Sequence, residues 1–558
     1  MSAAPMFGAD RVPRLLDQLL AEQRSLSAVD VFARRHDEGE HLVAARVYEE
    51  RIPVGRTPLP GQQLAFRVDL DSCTGCKACV TACHSLNGLA PEETWRDVGL
   101  LLGVGESAGV QQTVTTACHH CEDPACLSGC PVRAYEKDPV TGIVRHLDDQ
   151  CIGCQYCVLK CPYEVPKYNA ALGIVRKCDM CSSRLAVGEA PACVQGCPNG
   201  AISIEIVDAV GPGGGRELLP AAAAAEIPDS AHTRPTTRYV SRKPIGPLQA
   251  ANRDRLHPAH AHDPLAVMLV LMQLSVGTLA FAALAGALGV ASAFARSAAL
   301  ALAAVCAMTG LGAATLHLGR PLYAFRAVLG WRTSWMSREI LVFGAYVPLV
   351  ALGAAASSIA LVPGVSAPLV DLAETLLPAL RGAALAFGVA GTVCSIMIYV
   401  DTRRRAWALS RTAPTFAGTA LGLGALGANA VLALVAWIER DSGVALPALW
   451  LAIGVVVLGL KIAAERRLSS RRDAGDSDAL SRTARLLSGP LRVRQQARFA
   501  AAGAGVLASA AGVVCGIAAA PGFAAGFAWA GLACFVLGEL VERHLYFTSE
   551  ASPAMPGH

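Results

Sequence analysis

Hydrophobic and polar positions divide this chain near residue 263. Ahead of that point the sequence is polar, broken by short stretches in which apolar and polar residues alternate. Phe66-Arg67-Val68-Asp69-Leu70 has that period of two and predicts a strand. Gly142-Ile143-Val144-Arg145 and Ala201-Ile202-Ser203-Ile204-Glu205-Ile206 predict two more. Beyond residue 263, apolar runs recur, each near the roughly 20 residues that cross a bilayer. About eight helices are expected, over 264–288, 298–317, 340–362, 382–400, 415–438, 445–464, 499–519 and 523–542. They are rich in Gly and Ala, which lets helices approach closely in lipid. The expected division is an extension over 1–62, a polar folded domain over 63–207, a linker over 208–262, a membrane domain over 263–547 and a tail over 548–558. The linker reads as a flexible, solvated spacer: Gly211-Pro212-Gly213-Gly214-Gly215, an alanine run, then scattered prolines and histidines.

Cysteine placement changes the picture most. Of 20 cysteines, 16 lie between Cys73 and Cys197 in four quartets. These are Cys73/Cys76/Cys79/Cys83, Cys118/Cys121/Cys126/Cys130, Cys151/Cys154/Cys157/Cys161 and Cys178/Cys181/Cys193/Cys197. The first and third repeat C-x2-C-x2-C-x3-C, and prolines follow Cys130, Cys161 and Cys197. That is the bacterial ferredoxin spacing, in which the fourth cysteine commonly ligates the other cluster of a pair. Zinc competes for any lone C-x2-C, but four complete quartets point to four 4Fe–4S clusters and away from disulfides. Which quartets pair is left open by spacing alone. The fold class expected is an α+β double ferredoxin-like iron–sulfur domain followed by an all-α membrane domain. Cys306, Cys394, Cys515 and Cys534 lack ligand spacing and read as small apolar residues of the helices.

Composition agrees: 53% of residues are hydrophobic and 16% charged, with a net charge of +4. No basic stripe with interleaved aromatics suggests nucleic-acid binding. Charge placement is informative. Arg320, Arg326, Arg332 and Arg338 follow helix two; Arg403, Arg404, Arg405 and Arg411 follow helix four. Arg466, Arg467, Arg471, Arg472, Arg482, Arg485, Arg492, Arg494 and Arg498 follow helix six. The opposite side offers Arg296, Arg381 and Arg440. This bias puts the arginine-rich loops and the cysteine domain together on the cytoplasmic face of a bacterial inner membrane. The first residues lack a secretory or twin-arginine pattern, and Arg11–Leu20 reads as an amphipathic surface helix that could dock a partner. His257, His260 and His262 could bind a metal, although a solvated linker is the plainer reading.

Residues 66–207 resemble the four-cluster electron-transfer subunits of the complex iron–sulfur molybdoenzymes, as in dimethyl sulfoxide reductase. The resemblance rests on all four quartets, including the long gap in Cys178-x2-Cys181-x11-Cys193-x3-Cys197-Pro198. Residues 264–547 resemble the eight-helix quinone-reactive anchor of that family, on Leu316-His317-Leu318-Gly319-Arg320-Pro321, Ser337-Arg338-Glu339-Ile340 and Gly538-Glu539-Leu540. The resemblance implies crossed ligand sets: Cys73/Cys76/Cys79/Cys197 with Cys178/Cys181/Cys193/Cys83, and Cys118/Cys121/Cys126/Cys161 with Cys151/Cys154/Cys157/Cys130. It implies a quinol site at His317 and Glu339, which would relay protons. Arg320 or Arg326 would contact a menaquinone or ubiquinone or pair with Glu339. It also implies a separate molybdopterin catalytic subunit, either an S- or N-oxide reductase or a cytoplasmic sulfite dehydrogenase. One departure stands out: the family's basic residue just after the H-L-G-x-P motif is Tyr323 here. Glu539 could be a proton-path group or a buried partner of Arg543. A redox-linked pump is the rival reading, and the scarcity of acids in the helices weighs against it. Lys160, Arg176 and Lys177 could tune cluster potentials or lie solvated at the surface.

Overall fold

The computed structural model describes residues 17–21, 48, 50–211, 218, 227–228, 231–243, 245–253, 256–289, 291–359, 361–440, 445–469, 479–552 and 555–557. Most of the amphipathic stretch at 11–20, together with Arg471 and Arg472, lies outside the described residues.

The polar half is built from small sheets that present cysteine loops. Strand β1 (Gln62–Asp69) buries Leu64, Ala65, Phe66 and Val68 and pairs antiparallel with the strand Ile202–Asp208, Phe66 opposite Ile204. β2 (Asp97–Gly103) and β3 (Gln111–Thr116) form a second antiparallel ladder. Two hairpins follow: β4 (Tyr135–Lys137) with β5 (Val144–His146), and β6 (Lys167–Asn169) with β7 (Ile174–Arg176). The strand Ile202–Asp208 is β8. Short helices carry or follow the cysteines: α1 (Ala78–Leu86) holds Cys79 and Cys83, α2 (Ala125–Gly129) Cys126, α3 (Tyr156–Lys160) Cys157, α4 (Ser182–Ala186) follows Cys181, and α5 (Ala192–Gln195) holds Cys193.

The stretch read as a solvated spacer is partly structured. β9 (Arg238–Val240) pairs parallel with the free edge of β1, and β10 (Leu248–Ala250) pairs antiparallel with β2. Leu248 is buried in a small core with Val68, Leu70, Leu101 and Val114. The linker therefore closes both sheets before the polypeptide enters the membrane domain. Three-residue strands leave too little periodicity to be recognised in sequence.

Among the described residues, eight helices are long and apolar enough to span a membrane. They are α6 (Asp263–Ala287), α7 (Ala293–Thr315), α8 (Trp335–Ile359), α9 (Ala367–Val400), α10 (Leu409–Glu439), α11 (Ala445–Ser469), α13 (Arg492–Ile517) and α14 (Pro521–Thr548); a short amphipathic α12 (Ala479–Ser488) lies between α11 and α13. α9 starts well before the expected residue 382 and runs through Pro378. Proline inside a span is tolerated where neighbouring groups satisfy the freed carbonyl. α6 and α10 cross in close backbone contact: a Cβ on Gly277 would lie 1.9 Å from the Ala420 carbonyl oxygen. Only glycine allows that approach.

Connections after the second, fourth and eighth spans return to the cysteine domain. After the second, Gly330 N–H donates to the Pro131 carbonyl (2.8 Å). After the fourth, Arg404 Nε donates to the Leu159 carbonyl (3.1 Å). After the eighth, the tail lays Pro556 and Gly557 against Gly99 and buries Met555 in the core around Cys79 and Cys193. One apolar core runs from Cys130, Ile152 and Tyr156 into Met272, Phe343 and Tyr399 of the helices.

Candidate functional site

The sixteen thiols gather in four groups. Cys118, Cys121, Cys126 and Cys161 line one cavity; Cys73, Cys76, Cys79 and Cys197 line another. Cys130, Cys151, Cys154 and Cys157 act on one another, as do Cys83, Cys178, Cys181 and Cys193. In each pair of quartets the last cysteine of one crosses to the other. The loops make this possible by entering the left-handed region at Gly75, Lys77, Gly153, Gln155, Met180 and Cys181. That turn folds the backbone around the sulfurs and aims amides at them: Ala134 N–H at Cys130 Sγ (3.2 Å), Gly153 at Cys151 (3.4 Å), Met180 at Cys178 (3.4 Å), Ala201 at Cys197 (3.3 Å). Such amide–sulfur bonds are a lever on cluster potential. Burial pushes the Cys83 thiol up to about 12 and raises Cys121, Cys126 and Cys154 as well. Thiols held this way stay protonated near neutrality unless a metal displaces the proton. Groups of four sulfurs, two of the groups around a cavity, with inward amides fit 4Fe–4S clusters.

The group Cys130/Cys151/Cys154/Cys157 faces the helices. Its loop and the neighbouring β6–β7 turn meet the connection between α7 and α8 backbone to backbone: a Cβ on Gly153 of the loop would lie 3.0 Å from Gly319, and one on Gly319 would lie 2.1 Å from the Gly173 carbonyl oxygen of the turn. Arg320 N–H donates to the Ile152 carbonyl (3.0 Å) and Ser334 Oγ to the Gly129 carbonyl (2.7 Å). Tyr156 Oη donates to the Ile398 carbonyl (2.9 Å), and Lys160 Nζ pairs with Asp401 (2.6 Å). Lys160 is thus a docking residue. Arg176 is half-buried and pairs with Glu93 at 3.2 Å.

His317 lies just beyond the end of α7, with its ring against the Cys154 backbone and 5.0 Å, centroid to centroid, from His262. Burial holds His317 down at about 4, so its ring is neutral at physiological pH. Glu339 sits one turn inside α8, 5% exposed, and accepts a hydrogen bond from the Ser395 hydroxyl of α9. Tyr156, from the third-quartet loop, and Tyr399 are within electrostatic reach of Glu339. His317 therefore meets this cysteine loop at Cys154 and Glu339 lies within electrostatic reach of its Tyr156, without a hydrogen bond between the two. Arg320 and Arg326 face the cysteine domain: their guanidinium groups donate to the carbonyls of Asp148 (2.9 Å) and Asp149 (2.8 Å). Arg326 also lies 4.5 Å over the ring of Tyr323.

Glu539 has different company. Its carboxylate pairs with Lys461 of α11 and with Arg498 of α13 (2.6 Å), and accepts from the Thr419 hydroxyl of α10 (2.6 Å). Arg543 instead pairs with Glu542 (3.6 Å), which also meets Lys461 (3.1 Å). Arg498, a loop arginine by its place in the sequence, is 1% exposed inside the bundle. The membrane domain also holds more acids than its sequence suggested, because Glu542 falls well within the last span and Glu465 in the last turn of the sixth. Sequence reasoning singled out Glu539 but named Arg543 as its partner; the signal it passed over was Lys461, a lone cation inside an apolar run. Two residues gave no signal. His146 is buried between Asp148 (2.7 Å) and the Cys151 thiol; burial lowers its pKa, but those two partners outweigh burial and raise it. Arg96 is buried among the thiols of the first and fourth quartets.

Comparison with known proteins meets this geometry from both halves. The family model of the 4Fe–4S dicluster domain matches residues 110–206, and that of the DMSO reductase anchor subunit (DmsC) matches residues 257–481. The probable anaerobic dimethyl sulfoxide reductase subunit YnfG of Escherichia coli K12 is 43% identical over 144 residues, 24% of this protein and 70% of that one. The chain belongs to the dimethyl sulfoxide reductase-type iron–sulfur and anchor subunit family. A subunit of the anaerobic dimethyl sulfoxide reductase of the same organism is 41% identical over 154 residues, 26% of this protein and 75% of that one. Hydrogenase-2 operon protein HybA of Escherichia coli O157:H7 is 39% identical over 173 residues, and there the match spans about half of the relative's length (52%) and 26% of this protein. Within the family this is a multi-pass membrane protein carrying its iron–sulfur domain and its anchor on one polypeptide.

Proposed function

We propose that the protein moves electrons between the membrane quinone pool and a separate molybdopterin catalytic subunit through four 4Fe–4S clusters, one in each thiol group. The observation that carries the reading is the backbone contact of the Cys151–Cys157 loop with Gly319, which puts one thiol group directly over the connection between His317 and Glu339. Clusters bound there supply one-electron transfer; the protein's residues do the rest. Quinol oxidation gives up two protons with two electrons. His317, neutral and fixed against Cys154, offers a ring nitrogen to a quinone oxygen. Glu339, with a hydroxyl as its hydrogen-bond partner, takes or returns a proton at its carboxylate. Leu322, Phe325 and Trp331, in the connection between His317 and Glu339, are exposed apolar residues that suit contact with a lipid-borne quinone.

The one-sided arginine distribution supports a cytoplasmic iron–sulfur domain. On that face the partner's substrate would be of the sulfite type, oxidised with electrons passing to quinone; an S- or N-oxide reductase would run the same relay in reverse. The protein purified anaerobically from membranes should contain about sixteen iron atoms and as many acid-labile sulfides per molecule. A short-chain quinol should reduce it, or a quinone oxidise it. Half that iron, stoichiometric zinc, or clusters inert to quinol and quinone would overturn the reading. A fluorescent-protein fusion near residue 475 that stays dark while a phosphatase fusion there is active would reverse the orientation.

A further inference from the structure

Two buried cations sit among the thiols with no carboxylate partner among the described residues. Arg96 is 2% exposed and lies 4.6 Å over the ring of Phe66. Its Nη1 donates to the Thr115 hydroxyl (3.2 Å), which is itself 3.6 Å from Cys79 Sγ; its Nη2 is buried without a hydrogen-bond partner. The charges acting most strongly on Arg96 are Cys193, Cys79, Cys178 and Cys83, thiols of both outer groups. Lys177 is 3% exposed. Its Nζ donates to the carbonyls of Val144 and Cys178 (2.8 Å) and lies 3.6 Å from Cys118 Sγ. Cys118, Cys126 and Cys178 act on it most strongly, so it stands where an inner group meets an outer one.

The membrane-facing group is different. The influences on Cys130, Cys151, Cys154 and Cys157 are one another, backbone amides, Tyr135 and His146, with no lysine or arginine among the strongest.

We propose that Arg96 and Lys177 are positioning residues for electrons: fixed positive charges that raise the potentials of the three clusters remote from the membrane relative to the membrane-facing one. The proposal rests on one 4Fe–4S cluster occupying each thiol group. An isolated buried guanidinium or ammonium is costly, and the net negative charge of a thiolate-ligated cluster is the counter-charge the structure offers. Reduction adds one electron to a cluster and makes it more negative. A cation held nearby, out of water, favours that reduced form and raises the potential. The purely structural alternative is that both side chains only tie backbone and Thr115 in place.

Redox titration of the full-length protein in detergent, followed by electron paramagnetic resonance, separates the two. Arg96→Gln is expected to move two midpoints to lower potential and leave the membrane-facing cluster where it was. Arg96→Lys, which keeps the charge, should restore the wild-type values. Lys177→Gln should lower the midpoints of one inner and one outer cluster. Four unchanged midpoints in Lys177→Gln or Arg96→Gln, at full iron content, would overturn the proposal; so would equal shifts in Arg96→Lys and Arg96→Gln. If Arg96→Gln assembles with less iron, Lys177→Gln and Thr115→Val, which cuts the link from Arg96 to Cys79, are read by the same criterion. Low iron in the wild-type protein would instead count against the four-cluster reading.

Discussion

Glu339 and Glu539 are both carboxylates buried in apolar helices, yet the two halves of the bundle treat them differently. Glu539 is enclosed by Lys461, Arg498 and Thr419, with Glu542 and Arg543 alongside. Glu339 has the Ser395 hydroxyl, and no cation pairs with it among the described residues. A buried carboxylate fixed by two cations is a joint between helices: it is expensive to break and has little reason to exchange a proton. A buried carboxylate with only a hydroxyl partner can take up a proton without leaving a cation unpaired. The contrast supports the proposed division, a structural joint in the second half and proton chemistry in the first.

The largest effect should come from breaking the joint. Glu539→Gln removes the carboxylate nearest both Lys461 and Arg498, leaving Glu465 and Glu542 to face three buried cations, and should destabilise the folded protein by ~3 kcal/mol. Thermal unfolding in detergent and the yield of membrane-inserted protein would show it. Glu339→Gln should leave both near wild type, and an equal loss of stability in the two variants would erase the distinction.

Next in size is the contact between the domains. Gly319→Ala places a methyl 2.1 Å from the Gly173 carbonyl oxygen, so the β6–β7 turn, which packs on the cysteine loop at Gly153, or the α7–α8 connection must shift, at ~1–3 kcal/mol. Quinol-driven cluster reduction should slow while reduction by a soluble dye is unchanged. Smaller again is Arg320→Gln, which removes the 2.9 Å bond to the Asp148 carbonyl and should cost about 1 kcal/mol. If Arg320 touched quinone directly, the quinol KM would rise far more than the stability fell.

Ligand spacing, period-two strands and membrane-length runs were legible because each is written in neighbouring residues. Cys151-x2-Cys154-x2-Cys157 is a loop whatever surrounds it, and β1 and β8 carry their own alternation. Partnerships across the bundle were not legible. Nothing near Arg498 in sequence shows that its guanidinium turns inward to a glutamate 41 residues away. Nothing beside Arg96 places it among sulfurs of two quartets. β9 and β10 escaped because strands of three residues are defined by the edges they complete. The motif residues His317 and Glu339 were visible only through resemblance; their burial and their common cysteine loop belong to the folded protein.

The central claim is that electrons cross between quinone and clusters beside Glu339 and not elsewhere in the bundle. Anaerobic stopped-flow mixing of the purified protein with a short-chain quinol, read by the bleaching of the clusters' visible absorbance, tests it directly. Glu339→Gln should slow that phase by about 100-fold or more, the usual scale for losing a positioned proton acceptor, while dithionite still reduces the clusters fully. Glu539→Gln, compared per folded molecule, should keep the wild-type rate. A wild-type quinol rate in Glu339→Gln, or a loss confined to Glu539→Gln, would contradict the account and move the quinone site into the second half of the bundle.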